Sequence, residues 1–545
     1  MQVLVNKQQK KHNFYEGDLT LHQILQQKLA PEFFQFADKE LHKFGEHCAG
    51  PIDQRAKVTD REGEPRLQRY DAYGEEVSRV IVNEGYLQTV KETYETGIVG
   101  YVHKDIPALN QKGNYVYSFA QGYLLSQAEP GFYCPVTLTM ATAFLLDHYA
   151  SDELKQRFLP HVIATGEVEL YEGATFLTER QGGSDVGANT LEARWEDGQW
   201  RLYGEKYFAS NAGMCGVAMV LARKQGAPSG SKGLTLFAVP WHTEDGALNH
   251  LRIRRLKDKL GVKAVPSGEV EFEGAMAYVV GDPDKGIYYM LEALNLSRIC
   301  NAAASLGIMK RTLDEALHYT SGRTAFGHTL TEYPMVQETL STLKAKWHAS
   351  LVGLFDLIER YDRVTAGSAC QDEQLMVRLL IALLKKETAE YAIHFAHESI
   401  ELHGGNGFIE DFVLARMLRD AQVLTVWEGP ANILAHELIR LSKKNAHQTL
   451  LLQLSSTAHP LLKQRVAHLQ QKFDAFVNLP EAIQTLEAKP LMVELTQLFE
   501  AVCAVRHGER HGDRERKLAE IYIEQFLEKH PFGEAPLAVK YYSQV

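Results

Sequence analysis

Long apolar runs are missing from this 545-residue chain. No window reaches the roughly 18 uncharged apolar residues that a membrane-spanning helix needs, and MQVLVNKQQKKHNFYEGD has no extended apolar stretch after its basic residues. Neither membrane insertion nor a secretory leader is expected, and the expected location is the cytoplasm. Cysteine is scarce and scattered. Cys48, Cys134, Cys215, Cys300, Cys370 and Cys503 form no CxxC pair, which argues against a disulfide framework or a zinc ribbon and fits a reducing compartment; no metal site is expected. An excess of positive charge is missing too. With 58 Lys and Arg against 69 Asp and Glu, the net charge of -11 has the wrong sign for a surface coated with nucleic-acid contacts. Repeats and low-complexity tracts are absent. The remaining composition, 45% hydrophobic and 23% charged, is that of an ordinary globular protein with a large core.

Texture along the chain divides it into four parts, 1–172, 173–283, 284–440 and 441–545. The first is mainly helical, with apolar residues at spacings of three and four in LTLHQILQQKLA and DELKQRFLPHVIATGE, and with Ser151 placed as an N-cap. Cys48 to Tyr73 reads as a polar loop. The second part has short runs such as GVAMVLAR, LTLFAVP and EVEFEGA, a small β-barrel or sandwich. Within it Asp197-Gly198 supplies a tight hairpin turn, and GAPSGSKG is an exposed loop between strands. The third part is a bundle of long amphipathic helices broken at Gly322, near Gly367 and at Gly404 to Gly407. The fourth is an added helical region with Pro460, Pro480, Pro490 and Pro531 as breaks. The expected fold class is α+β, mainly α.

Four motifs carry candidate chemistry. Thr178 to Asp185, TERQGGSD, follows a strand, and its glycines flanked by Thr and Ser can offer N–H and hydroxyl donors to an anion. Lys206 to Asn211, KYFASN, ends a strand with an aromatic able to stack on a planar ring. Gly404-Gly405-Asn406-Gly407 is followed by Val426-Trp427-Glu428-Gly429, where apolar flanks would raise the carboxyl pKa of Glu428 and suit it to proton abstraction. Arg298 and Arg323, the latter in RTAFG, can pair with phosphates. Singly, each has a bland reading: a tight loop, core aromatics, a helix-terminal Glu, surface ion pairs.

Their order carries more than any one of them. TERQGGSD, KYFASN, Arg298, RTAFG, GGNGF and WEG succeed one another as in the acyl-CoA dehydrogenase flavoproteins, a resemblance covering about Ala120 to Arg440. RLKDKLGVKAVPSGEVEF, CPVTLTMATA, RYDAYG and the helical tail resemble the AidB-like branch. The resemblance implies a helical N-terminal domain, a middle β domain and a C-terminal four-helix bundle, with FAD held between subunits of a homotetramer. It implies Glu428 as the base that removes the α-proton of an acyl-CoA while hydride leaves the β-carbon for the flavin, giving a trans-2-enoyl-CoA. It also implies enolate stabilisation by the backbone N–H of Glu428 and a ribityl hydroxyl. By the same resemblance FAD is contacted by Thr175, Phe176, Leu177, Thr178, Gly183 and Ser184, by Phe208, Ala209 and Ser210, by Arg323, Thr324 and Ala325 of a neighbouring subunit, by Glu401, Leu402, His403, Gly404 and Gly405, and by Pro430, Ala431 and Asn432. Ser184, Asn295, Arg298 and Gly429 are implied at the substrate. An electron-transfer flavoprotein is the implied electron acceptor.

Departures from the family pattern are Phe208 for Trp, Glu401 and Pro334 for Gln, Pro430 for Thr and Asn295 for Asp. Two other functions compete with the dehydrogenase: an alkylation-response flavoprotein associated with DNA, and a protein that sequesters acyl-CoA with little turnover. Residues 434–545 hold 14 Lys and Arg against 13 Asp and Glu, and Arg506, Arg510, Arg514, Arg516 and Lys517 are interleaved with Glu509, Asp513 and Glu515. That interleaving favours a solvated helix face over a DNA surface.

Overall fold

The computed structural model describes residues 13–528 and 530–545; the sequence read above for a leader lies, through residue 12, outside them. The N-terminal part is helical, with N-caps that match its local sequence. Asp18 accepts from Leu21 N, Asn83 from Tyr86 N and Asn114 from Tyr117 N, and Ser151 accepts from Leu154 N at 3.4 Å as expected. Tyr115–Ala128 and Pro130–Tyr149 are apolar all round and form the centre of the molecule.

Cys48 to Tyr73 is not a loop. It forms a short π-helix Cys48–Ile52, the helix Asp53–Arg61 and the strand Arg66–Tyr70, which pairs antiparallel with Glu76–Ile81. RYDAYG is the turn of that hairpin, with Asp71 accepting from Tyr73 N and Glu75 N and with Gly74 at φ +86°. The strands escape a hydropathy reading because only one edge is covered. Val80 enters the core of the β domain, and Ser78 Oγ accepts from Ile253 N at 2.8 Å. The first part of the chain therefore lends a hairpin to the second.

The β domain is a curled seven-stranded sheet. Its path runs Leu251–Leu256, Ser267–Val279, Gln199–Ser210, Glu192–Glu196, Cys215–Lys224, Glu172–Phe176, and Leu234–Pro240 bridges back from Cys215–Lys224 to Ser267–Val279. The Asp197-Gly198 turn is present, with φ of +50° and +79° and Glu196 paired to Gln199. GAPSGSKG joins Cys215–Lys224 to Leu234–Pro240, as expected.

Three long helices, Gly286–Gly322, Pro334–Thr365 and Gln371–His403, with Val413–Leu424 and Ala431–Ser442, make the C-terminal bundle. The added helices Ala446–Leu454, Pro460–Phe476, Glu481–His511 and Asp513–Phe526 pack on it, and their side chains belong to the same apolar core as the N-terminal part and the bundle. The β domain has a separate core. Pro490 corrects one expectation: it lies inside Glu481–His511 and does not end it. The carbonyl it leaves without a donor is that of Leu486, an exposed residue whose backbone water can reach.

Two buried polar clusters tie the added helices down. Lys346 Nζ donates to Glu387 at 2.9 Å and Glu500 at 2.7 Å, while Ser350 and the Tyr522 hydroxyl also donate to Glu500. Nearby, His348 sits 3.1 Å from Thr20 Oγ1 and 5.3 Å, ring to ring, from His507, which itself contacts Gln23. Burial holds His348 well below the usual imidazole range and pushes His507 down to about 3, with His511, Arg514, Lys344, Arg510 and Lys28 adding positive charge and Glu515 opposing them. Because these folded-state values are depressed, their stabilisation is complete above the unfolded value near 6.5 and is lost as pH falls below it, for His507 down to about 3. Until its folded-state value is reached, each imidazole should cost about 1.4 kcal/mol per pH unit. Guanidinium denaturation at pH 7.0 and 5.5 should show the loss, and His507→Asn should flatten it.

Candidate active site

All three main parts of the chain meet at Glu428. Val413–Leu424 ends at a turn that runs through Trp427, Glu428 and Gly429 into the helix Ala431–Ser442. Glu428 has φ +60° and Gly429 φ +98°, and the left-handed conformation costs a residue with a Cβ about 1–3 kcal/mol unless its surroundings enforce it. Those surroundings are two buried cations. Arg298 Nε donates to the carbonyl of Glu428 at 3.0 Å, and Lys385 Nζ donates to the carbonyl of Gly429 at 2.9 Å. The backbone N–H of Glu428 donates to no acceptor among the described residues.

The Glu428 carboxyl is pushed up by burial, against the pull of Arg298 and Lys385. Its expected flanks do not all contribute, since Val426 is exposed and Trp427 is half-buried. The N-terminal part contributes Cys134, the only residue of Pro130–Leu146 that is not buried. Burial pushes its thiol up to about 12, with Lys259 pulling it down and the charge of Glu428 raising it. Cys134 is therefore a neutral thiol and not a nucleophile at neutral pH.

Beside Ser210, the Phe208 ring is 54% exposed, with Lys257 Nζ 4.9 Å from its centroid. Ala209, its neighbour, is buried. Lys259 is buried, donates to the Val262 carbonyl at 2.9 Å and also reaches the Val265 carbonyl, and burial pushes it down to about 8. The TERQGGSD loop divides in two. Glu179 is a buried anchor, accepting from Lys206 Nζ at 2.8 Å and from Thr190 N and Leu191 N. Gly183 and Ser184 remain exposed, and Thr178 lies over Gly183. Among the strand residues before the loop, Thr175 and Leu177 are half-buried, whereas the Phe176 ring is inside the β-domain core.

The remaining motifs lie at the end of the bundle. Arg323, Thr324 and Ala325 begin a small exposed hairpin, Thr324–Ala325 with His328–Thr329. The Arg323 guanidinium lies 6.0 Å from the Tyr319 ring and makes no ion pair among the described residues. Glu401 is exposed beside His397, Leu402 is half-buried, and His403 is buried and stacked on Tyr319 with centroids 4.1 Å apart. A Cβ at Gly404 or Gly405 would meet nothing within 4 Å, so both backbones face open space. Pro430 caps the helix that begins at Ala431, and Asn432 is exposed.

Arg298 is buried and donates to the Glu428 carbonyl and to Asn295 Oδ1, at 3.3 Å. Asn295 is buried in the same pair. Sequence reasoning missed Lys385 and Cys134. Lys385 sits in an ordinary-looking Lys-Lys-Glu run that reads as a solvated stretch, yet Lys385, Lys386 and Glu387 are all buried.

A helical domain, a curled sheet and a helical bundle converging on a carboxylate held in a left-handed turn define a flavin-dependent oxidoreductase acting on CH–CH bonds. The chain belongs to the acyl-CoA dehydrogenase family. The acyl-CoA dehydrogenase middle domain matches residues 174–275 and the acyl-CoA dehydrogenase C-terminal domain residues 284–443, while the adaptive response protein AidB N-terminal domain matches residues 5–166. Acyl-CoA dehydrogenase family member 11 of Caenorhabditis elegans is 31% identical over 439 residues, 79% of this chain and 70% of that protein. The putative acyl-CoA dehydrogenase AidB of Escherichia coli K12 is 32% identical over 391 residues, 70% of each. Among solved structures, C. elegans ACDH-11 in complex with C11-CoA is similar with a TM-score of 0.84 at 27% identity, covering 97% of this chain and 95% of that one. Bd2924 in its apo form also gives 0.84, at 29% identity, covering 92% and 100%. The added C-terminal helices thus have counterparts in known folds of this branch.

Proposed function

We propose that the protein oxidises an acyl-CoA thioester to its trans-2-enoyl-CoA, with Glu428 as the base. The observation that carries this reading is the Glu428 turn: a desolvated carboxyl beside an unspent backbone N–H, with both following carbonyls anchored by buried cations. An α-proton of a thioester is a weak acid, so its removal needs both a base and a donor for the developing enolate oxygen. Glu428 supplies the first with its carboxylate and the second with its N–H. The positive charges of Arg298 and Lys385 oppose the rise that burial imposes on the carboxyl.

The residues fit FAD. Phe208 offers an exposed ring, Ser210 a hydroxyl, Gly183, Ser184, Gly404 and Gly405 open backbone, and Arg323 an unpaired cation for a diphosphate. FAD when bound supplies the acceptor for the hydride from the β-carbon. Thr175, Phe176, Leu177, Thr178, Ala209, Thr324, Ala325, Glu401, Leu402, His403, Pro430, Ala431 and Asn432 complete the proposed binding set, Phe176, Ala209 and His403 through their backbones. Ser184 and Gly429 lie on the proposed substrate side.

A second copy of the chain completes the site in this reading. Phe326, at 96% exposure, and Met335, Phe408 and Val426 are large apolar residues open to solvent on the motifs at the bundle end, a patch that assembly would cover. A homotetramer and transfer of electrons to an electron-transfer flavoprotein follow the family pattern. Arg323→Ala should lower FAD retention about tenfold on desalting and loosen the assembly in sedimentation, with the thermal melt of the apoprotein unchanged.

Three cations of the C-terminal cluster are already engaged within the chain. Arg506 bonds the Gln453 carbonyl and Ser456, Arg514 pairs with Glu515 at 2.8 Å, and Lys517 pairs with Asp513. The reading is tested by anaerobic titration of the yellow protein with straight and branched acyl-CoAs of graded length. Bleaching of the flavin by one length class supports it and gives the substrate. A spectral shift without bleaching by any acyl-CoA would instead indicate sequestration.

A further inference from the structure

Resting on the assignment of Glu428 as the base, we propose that Lys385 is a positioning residue, holding the Glu428-Gly429 turn in its left-handed conformation and setting the proton affinity of the carboxylate through its charge. Lys385 lies in the middle of Gln371–His403 at 1% exposure. A lysine is buried to that degree only when it has a specific partner, because removing an ammonium from water costs several kcal/mol. Its hydrogen-bonding partner is the carbonyl of Gly429, at 2.9 Å. That carbonyl immediately follows two successive residues at positive φ, where the turn most needs restraint. Arg298 holds the preceding carbonyl from another helix. The two cations fix the two consecutive peptide planes that follow the Glu428 Cα, and so the left-handed exit of the turn that carries its side chain.

The electrostatics point the same way. Burial pushes Lys385 down to about 8, the charge of Glu428 pulls it up, Arg298 lowers it and Glu390 raises it. Reciprocally, Lys385 holds the Glu428 carboxyl down against burial. Other charged or titratable groups facing this pair are Cys134 and Cys300, whose thiols burial keeps neutral, Glu437, Arg378 and Arg440 around Arg298, and Lys259 on the β-domain side. Loss of the Lys385 proton leaves Glu428 with Arg298 as its one close cation and must raise its affinity for a proton.

The test compares wild type, Lys385→Arg, Lys385→Gln and Lys385→Met as FAD-loaded protein, each checked by near-ultraviolet circular dichroism and thermal melting. Two quantities are read from pH 5 to 9.5. One is the limiting rate of flavin reduction at saturating acyl-CoA. The other is the protonation of Glu428 in the absence of substrate, taken from pH-difference infrared spectra with Glu428→Gln as the blank. In Lys385→Met the Glu428 midpoint should rise by about one unit or more, and reduction at pH 6.5 should slow at least tenfold. The substrate dissociation constant should change less than threefold. Any loss that persists at pH 9, in variants whose infrared midpoint for Glu428 lies below that pH, measures the geometric part.

Lys385→Arg should hold the Glu428 midpoint at the wild-type value and remove the contribution of Lys385 to a break near pH 8, because its guanidinium does not titrate there; a break that remains belongs to Lys259, which burial also pushes down to about 8. Lys385→Gln, with a donor but no charge, keeps the test open if the Met variant does not fold. An unchanged Glu428 midpoint in both neutral variants would overturn the electrostatic role. An unchanged rate at pH 9 in both would overturn the positioning role. If Glu428→Gln itself reduced its flavin normally, the assignment of the base would fall, a result separable from either of these.

Discussion

Glu428→Gln should bind FAD and acyl-CoA as wild type does and reduce its flavin about 10²–10⁴-fold more slowly, the range that a positioned base contributes. The amide has nearly the shape of the carboxyl it replaces, and the turn that carries it is held by the carbonyls of Glu428 and Gly429, which the substitution leaves with Arg298 and Lys385. The N–H that faces the enolate oxygen is also retained. The loss should therefore fall on the chemical step, with the substrate dissociation constant within a few-fold of wild type. Stopped-flow reduction over a range of acyl-CoA concentrations separates the two. Normal reduction would move the base away from Glu428, and loss of binding would make Glu428 a residue for recognition.

Lys346→Met should destabilise the whole helical body by at least 3–5 kcal/mol. The substitution deletes the cation that bridges Glu387 and Glu500 in a buried group and leaves Lys386, 4.0 Å from Glu387, as the remaining cation beside the two carboxylates. The Ser350 and Tyr522 hydroxyls bond to Glu500 but cannot neutralise it. Because Glu387 lies on Gln371–His403 and Glu500 on the added helix Glu481–His511, the bundle and the addition should lose stability together. A single shifted urea transition by circular dichroism is the expected result. Selective loss of the added helices, leaving residues 13–440 folded, would show instead that the ion group serves only as a local latch.

The order of motifs in the sequence was enough to identify the family and the three-part fold, because TERQGGSD, KYFASN, RTAFG, GGNGF and WEG each require a particular backbone. The Asp197-Gly198 turn and the helix break at Gly404 were legible for the same reason: positive φ at a glycine, or next to one, is written locally. What was not legible depends on burial from a distance. Arg298 and Lys385 look like surface residues until three helices close over them. The strand Arg66–Tyr70 looks like a loop because its partner packing comes from the β domain. Pro490 reads as a break, yet packing of the adjacent face, Ala488 and Leu491 among others, carries the helix through it.

The backbone of Glu428 sets stability against activity at a single position. A glycine there would relieve the left-handed strain, about 1–2 kcal/mol, and free a buried carboxyl from its desolvation, while removing the base. Selection for thermal resistance alone would therefore drift away from glutamate at this position. Among homologous chains, a Glu persisting at the equivalent site would mark the lineages still under selection for turnover, and a Gly or Asn there would mark those that kept the scaffold for binding.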